Sequence, residues 1–118
     1  MRLEDLEIYR IALDIGNAIW DITLKWEYYT KDTIGKQIVR SADSIAANIA
    51  ESYGRYHYKD IKNFCYYARG SLYETRAWLT IANNRNLFDQ KSFENLTSVL
   101  NSLAIKLNNY IRTIGNAH

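Results

Sequence analysis

The sequence predicts an all-α protein, an antiparallel up-down-up-down four-helix bundle, and three observations carry that expectation. Over Phe93, Leu96, Leu100, Leu103, Leu107, Ile111 and Ile114, apolar residues repeat at three-and-four spacing, the period of a helix buried along one side. An N-terminal stretch carries two such apolar lines rather than one. The segments between the periodic stretches are short, which forces successive helices to run in opposite directions. The chain is read as one domain, residues 1–118, with helices near 4–26, 33–53, 58–84 and 90–114.

In the first helix, at about 100° per residue, Ile8, Ala12, Ile15, Ile19, Ile22 and Trp26 fall on one line. Leu6, Tyr9, Leu13, Trp20 and Leu24 fall on a second, roughly 130° round the same helix. One stripe faces the core. The other exposes Trp20 and its leucines unless something covers it, and such a strip marks an association surface. Leu6, Tyr9, Leu13, Trp20 and Leu24 are therefore the expected interface between copies of the chain.

Glu27 to Thr33 reads as a polar and aromatic connection with capping residues near its end. The second helix turns Ile38, Ser41, Ile45 and Ile49 inward, flanked by Val39, Ala42, Ala46 and Ala50, and Gly54 stops it. The third aligns Ile61, Cys65, Ala68, Leu72 and Leu79 and ends near Asn83 or Asn84. The fourth has the best-marked start: Asp89 can cap the free amides while Phe88 and Phe93 hold the two positions of a hydrophobic staple. Only residues 115–118 read as frayed.

With 47% apolar and 24% charged residues, the 118-residue chain has ordinary globular usage. It is long enough to bury on the order of 65% of its unfolded surface. The single cysteine, Cys65, lies in an apolar helical pattern, as a small buried hydrophobe in a reducing compartment would. No stretch reads as a signal peptide or as the roughly 18 apolar residues of a membrane span, so the expected location is the cytoplasm. Metal-dependent bundles use glutamates and Glu-x-x-His pairs on facing helices, and the only histidines, His57 and His118, belong to none. No Gly-rich phosphate loop is present. No cofactor, metal or catalytic residue is expected, and the chain reads as a non-enzyme.

Two constellations remain. On the third helix Lys62, Arg69 and Arg76 recur every seven residues, with Tyr66 and Tyr73 between them and Arg55 in the preceding turn. Such a track can neutralise phosphates and stack unpaired bases. From Lys31 to Arg85 nine lysines and arginines face five acids. The net charge of +2 is far below that of heavily basic nucleic-acid binders, so a subunit interface or a solvated face is the competing reading. The second constellation is polar: Asn48, Glu51 and Arg55 on the second helix, Ser71 and Glu74 on the third. It reads either as a carboxylate site or, preferred here, as a charge-paired network that fixes helix register.

The run Gln37-Ile-Val-Arg40-Ser-Ala-Asp-Ser-Ile45-Ala-Ala-Asn48-Ile-Ala-Glu51-Ser-Tyr-Gly54-Arg55, then Ala68-Arg-Gly-Ser71-Leu-Tyr-Glu74, resembles the bacterial four-helix bundle proteins called 23S rRNA intervening sequence proteins. The opening Leu3-Glu-Asp-Leu6-Glu-Ile-Tyr is similar to that family's start. The resemblance implies an antiparallel bundle that assembles into a ring, typically a homopentamer. A related branch of basic ring-forming bundles assists reverse transcriptases, which suggests RNA or an RNA-binding protein as partner only by analogy. Ala46 stands where many members have proline and Ser52 where many have glycine, so the second helix is expected to run straight.

The function expected is thus that of a homo-oligomeric bundle binding RNA or a nucleoprotein partner through Arg55, Lys62, Tyr66, Arg69, Tyr73 and Arg76. The alternative is a structural or protein-interaction scaffold without nucleic acid. No membrane partner is expected.

Overall fold

A computed structural model describes residues 1–115; the expected fraying of residues 116–118, and His118 with it, lies outside them. Helix α1 spans Glu7–Thr23 and buries Ile8, Ala12, Ile15 and Ile19, the inner line of the two stripes. It starts later than the pattern suggests. Leu3–Asp5 forms a separate 3-10 turn, closed by the Arg2 backbone N–H donating to Asp5 Oδ2 at 3.1 Å, and Leu6 is extended between the two. It also ends earlier. Thr23 Oγ1 donates back to the Trp20 carbonyl at 3.1 Å, and the chain then turns so that the Trp26 indole N–H donates to the Leu87 carbonyl at 3.2 Å. The Trp26 ring meets Phe88 edge-on at 5.6 Å.

Residues 27–33 are not an open connection. Tyr28–Thr30 makes one helical turn and Lys31–Gly35 a π-helical turn, leading directly into α2, Lys36–Tyr53. The reason is local. Thr33 Oγ1 donates to the Tyr29 carbonyl at 2.8 Å instead of capping a helix. At Gly35 an added Cβ would lie 3.3 Å from the Thr30 carbonyl oxygen and 3.7 Å from the Trp26 ring, so glycine permits the widened turn to close against that tryptophan. Helix α2 then passes without a break through Ala46 and Ser52.

Helix α3 covers Tyr58–Asn84 and buries Cys65, Ala68, Leu72, Thr75, Leu79 and Ala82. It stops at Asn86, whose φ of 60° is the left-handed conformation that ends helices. The Asn86 and Leu87 amides, both at 3.0 Å, donate to the carbonyls of Asn83 and Ala82. Helix α4, Gln90–Thr113, opens on Asp89, whose carboxylate accepts from the Ser92 amide at 2.8 Å. Phe88 is buried and Phe93 packs on the core, as the staple positions require.

The described residues contain no strand, and each helix packs on its neighbour in sequence while α4 closes back on α1. Direction is read from partners. Ser41 meets Thr75 across α2 and α3, Arg69 meets Asn108 and Arg76 meets Asn101 across α3 and α4, and Glu7 meets Lys106 across α1 and α4. On α3 and α4 the partner's number falls as the residue number rises, as antiparallel helices demand. The result is a four-helix bundle of 51 × 23 × 21 Å. Where α1 passes α2 at Gly16, an added Cβ would lie 2.7 Å from Asp43 Oδ1, so a larger residue there would push the Asp43 carboxylate aside.

Candidate nucleic-acid interface and apolar face

Helical spacing places Tyr66 three residues before Arg69 and Tyr73 three before Arg76, so each ring lies under the next turn's guanidinium. The Arg69 guanidinium sits 4.9 Å from the Tyr66 ring centre and that of Arg76 5.6 Å from the Tyr73 centre. Each arginine also reaches α4. Arg69 Nη1 donates to Asn108 Oδ1 at 3.0 Å, and Arg76 Nη2 donates to Asn101 Oδ1. Two identical tyrosine–arginine–asparagine rungs thus cross the α3–α4 groove, seven residues apart on both helices. Tyr66 and Tyr73 are exposed. Seven residues at 1.5 Å set the rungs about 10 Å apart.

The outer members of the track are placed differently. Lys62 is half-buried and lies one further repeat toward the α3 N-terminus, opposite the place where α4 has already ended at Thr113. Arg55 turns away from the groove: it pairs with Glu51 at 3.2 Å and stacks over Phe64 at 4.5 Å. Tyr66, Arg69, Tyr73 and Arg76 are brought together, and Arg55 is not.

The five polar residues Asn48, Glu51, Arg55, Ser71 and Glu74 do not join across α2 and α3. Asn48 donates to the Ser44 carbonyl at 2.9 Å, Glu51 holds Arg55, Glu74 accepts from the Trp78 indole at 3.1 Å, and the Ser71 carbonyl lies 2.7 Å from Thr75 Oγ1. Every one of these bonds stays within one helix or its adjoining turn. The buried link between α2 and α3 is instead Thr75 Oγ1 donating to Ser41 Oγ at 3.0 Å, with Ser41 donating on to the Ile38 carbonyl at 3.1 Å. Thr75 lay on the inner line of α3, between Leu72 and Leu79, and that position was its one sequence signal. Further along, burial pushes the Cys65 thiol above its ordinary pKa, and a hydrogen bond with Ser52 opposes the shift. Among the described residues no three histidine, cysteine or acidic side chains gather as a metal site would need.

The second stripe of α1 divides. Leu6 is 9% exposed and belongs to the bundle's own core, and Tyr9 is half-buried against that core. Leu13, Trp20 and Leu24 face solvent, the last two 51% and 52% exposed. A shallow cleft beside Trp20 and Leu24 runs over Gly35 onto α2 at Lys36 and Val39. On α4, Val99 and Ile105 are also exposed, apolar positions that fall outside its heptad line. No helix of the described residues is long and apolar enough to cross a membrane.

A helical bundle bearing an aromatic-basic groove on one side and an apolar strip on another is the class of protein these features define. The chain belongs to the family described as 23S rRNA-intervening sequence protein, which it matches over residues 4–109. Among solved structures it is similar to a protein of unknown function from the S23 ribosomal protein family of Bacteroides thetaiotaomicron VPI-5482. The TM-score is 0.79 and the identity 21%, over 88% of this chain and 97% of that one. That likeness bears on the fold alone. No curated protein matches the chain.

Proposed function

We propose that the protein is a non-enzymatic, cytoplasmic homo-oligomer, a ring of the pentameric kind its family suggests, and that it binds RNA along the groove between α3 and α4. The observation that carries this reading is the repeated rung. Each rung offers an exposed aromatic face, on which stacking is worth about 1–3 kcal/mol per base, beside a guanidinium already held in place. Pre-positioned arginines lose less freedom when they meet a phosphate. The modest net charge fits a local track rather than a wholly basic surface.

In a gel-retardation titration with single-stranded RNA, the Lys62→Glu/Arg69→Glu/Arg76→Glu protein is expected to lose binding while remaining helical. For the wild type, losing three phosphate contacts corresponds to a salt slope lower by about 2. Arg69→Gln/Arg76→Gln, which keeps a side-chain amide opposite each asparagine, guards against a folding artefact. Equal affinity in all of these proteins defeats the reading.

The arginine–asparagine bonds themselves favour a second reading, in which the rungs only clamp α3 to α4 in a protein-interaction scaffold. The same variants then melt at lower temperature, and the wild type does not retard RNA even at low salt.

A further inference from the structure

Helix α1 is apolar on both flanks of its solvent side. On the α2 flank stand Leu13, Trp20 and Leu24, all exposed. On the α4 flank a cleft of about 300 Å³ lies between α1 and α4, its lining including Asp14, Ala18, Ile22, Leu96 and Val99. At about 100° per residue, the midpoints of Leu13/Trp20/Leu24 and of Asp14/Ala18/Ile22 lie about 140° apart round α1. They are two surfaces, not one. Their charges are opposite as well: Lys31 and Lys36 line the cleft beside Trp20 and Leu24, with no acid, whereas Asp14 lines the cleft on the α4 flank, with no lysine or arginine. Lys36 is taken up by Asp32 at 2.7 Å. No ion pair among the described residues engages Lys31 or Asp14.

We propose that the exposed strip of one copy docks on the α1–α4 cleft of a second copy, with Trp20 as the anchor seated in it and Lys31 facing the partner's Asp14. This docking rests on the homo-oligomer proposed above and names the face that receives the strip. Tryptophans held in desolvated pockets are enriched among the residues that carry binding energy. Opposite charges at the rim fix the register of two surfaces and speed their encounter more than they add affinity. Because the giving and receiving surfaces differ, the contact is head-to-tail, and surfaces less than 180° apart bend a row of copies toward closure. Neither cleft is lined by a residue of α3, so the docking does not use the tyrosine–arginine rungs.

The test is sedimentation of two variants of the full chain, alone and mixed, with helicity followed by circular dichroism. One lacks the strip, Leu13→Gln/Trp20→Gln/Leu24→Gln, and the other spoils the cleft at two exposed positions, Ala18→Glu/Val99→Glu. Each alone is expected to sediment as a single helical 13.8 kDa particle. The first keeps a cleft and the second keeps a strip, so an equimolar mixture is expected to form pairs of twice that mass and nothing larger. The rim is tested by charge exchange: Asp14→Lys should weaken assembly by about threefold to tenfold, and Asp14→Lys/Lys31→Asp should restore most of it. A cleft variant that assembles like the wild type shows that the strip meets another face, and this docking is overturned while the homo-oligomer stands. A mixture that stays single, or an exchanged pair as weak as Asp14→Lys alone, overturns it too. A wild type that sediments singly at micromolar concentration overturns the docking and the homo-oligomer together.

Discussion

Asp43 and Asp89 are pushed in opposite directions by their surroundings. The Ser92 backbone N–H, helped by its hydroxyl, holds the Asp89 carboxyl below its ordinary value, whereas desolvation between α1 and α2 raises that of Asp43. A carboxyl depressed on folding adds stability above its unfolded pKa and loses it as pH falls through the folded value. Asp89→Ala is therefore expected to lower the melting temperature at neutral pH, by a margin that closes in acid below about pH 4. A carboxyl raised on folding has the reverse sign, costing stability once both states are ionised. Asp43→Asn should raise the melting temperature at neutral pH and make little difference in acid, and melting curves across pH 3–7 for both variants check the pair. The capping role of Asp89 was legible because the cap, the Ser92 amide that donates to it and the flanking phenylalanines lie within a few residues. The environment of Asp43 was not, since it is made by Gly16 on another helix.

The same contrast governs whole elements. Where local chemistry decides, as at the start of α4 and the inner line of α3, the pattern in the residues and the fold agree. The turn at Asn86 is a further local device, since asparagine tolerates the left-handed conformation that β-branched side chains resist. Asn86→Gly is expected to leave stability nearly unchanged, and Asn86→Val to cost about 1–2 kcal/mol in denaturant unfolding. Residues 27–33 were misread as an open connection because Thr33, which looks like a capping residue, bonds back to the Tyr29 carbonyl within a helical turn instead. The rungs were half legible. Tyrosine and arginine share one helix, so their spacing was visible, but Asn101 and Asn108 enter through the register between α3 and α4, which no single helix encodes. The polar set on α2 and α3 was expected to join across the two helices, whereas each member found a partner within its own helix or the adjoining turn.

For the whole molecule, the apolar strip is the feature a solitary bundle leaves unexplained. Fully burying one large apolar side chain is worth about 1.5–3 kcal/mol, so covering Leu13, Trp20 and Leu24 would supply a substantial part of an assembly's stability. The wild type is expected to sediment as a multiple of 13.8 kDa, and Leu13→Gln/Trp20→Gln/Leu24→Gln as a single 13.8 kDa particle with intact helicity. A wild-type chain that sediments singly at micromolar concentration contradicts the assembly. Leu6, read from the sequence as part of this strip, is left out of the substitution because its own core already covers it.

The bond from the Trp26 indole to the Leu87 carbonyl ties the turn after α1 to the turn after α3, with Phe88 wedged against the same ring. Neither turn can loosen alone without uncovering the other, so this end of the rod is one latch rather than two hinges. Opening it would strip the Trp26 ring of both partners at once, so with Trp20 and Trp78 replaced by phenylalanine the one remaining indole becomes an optical gauge of whether the latch is shut.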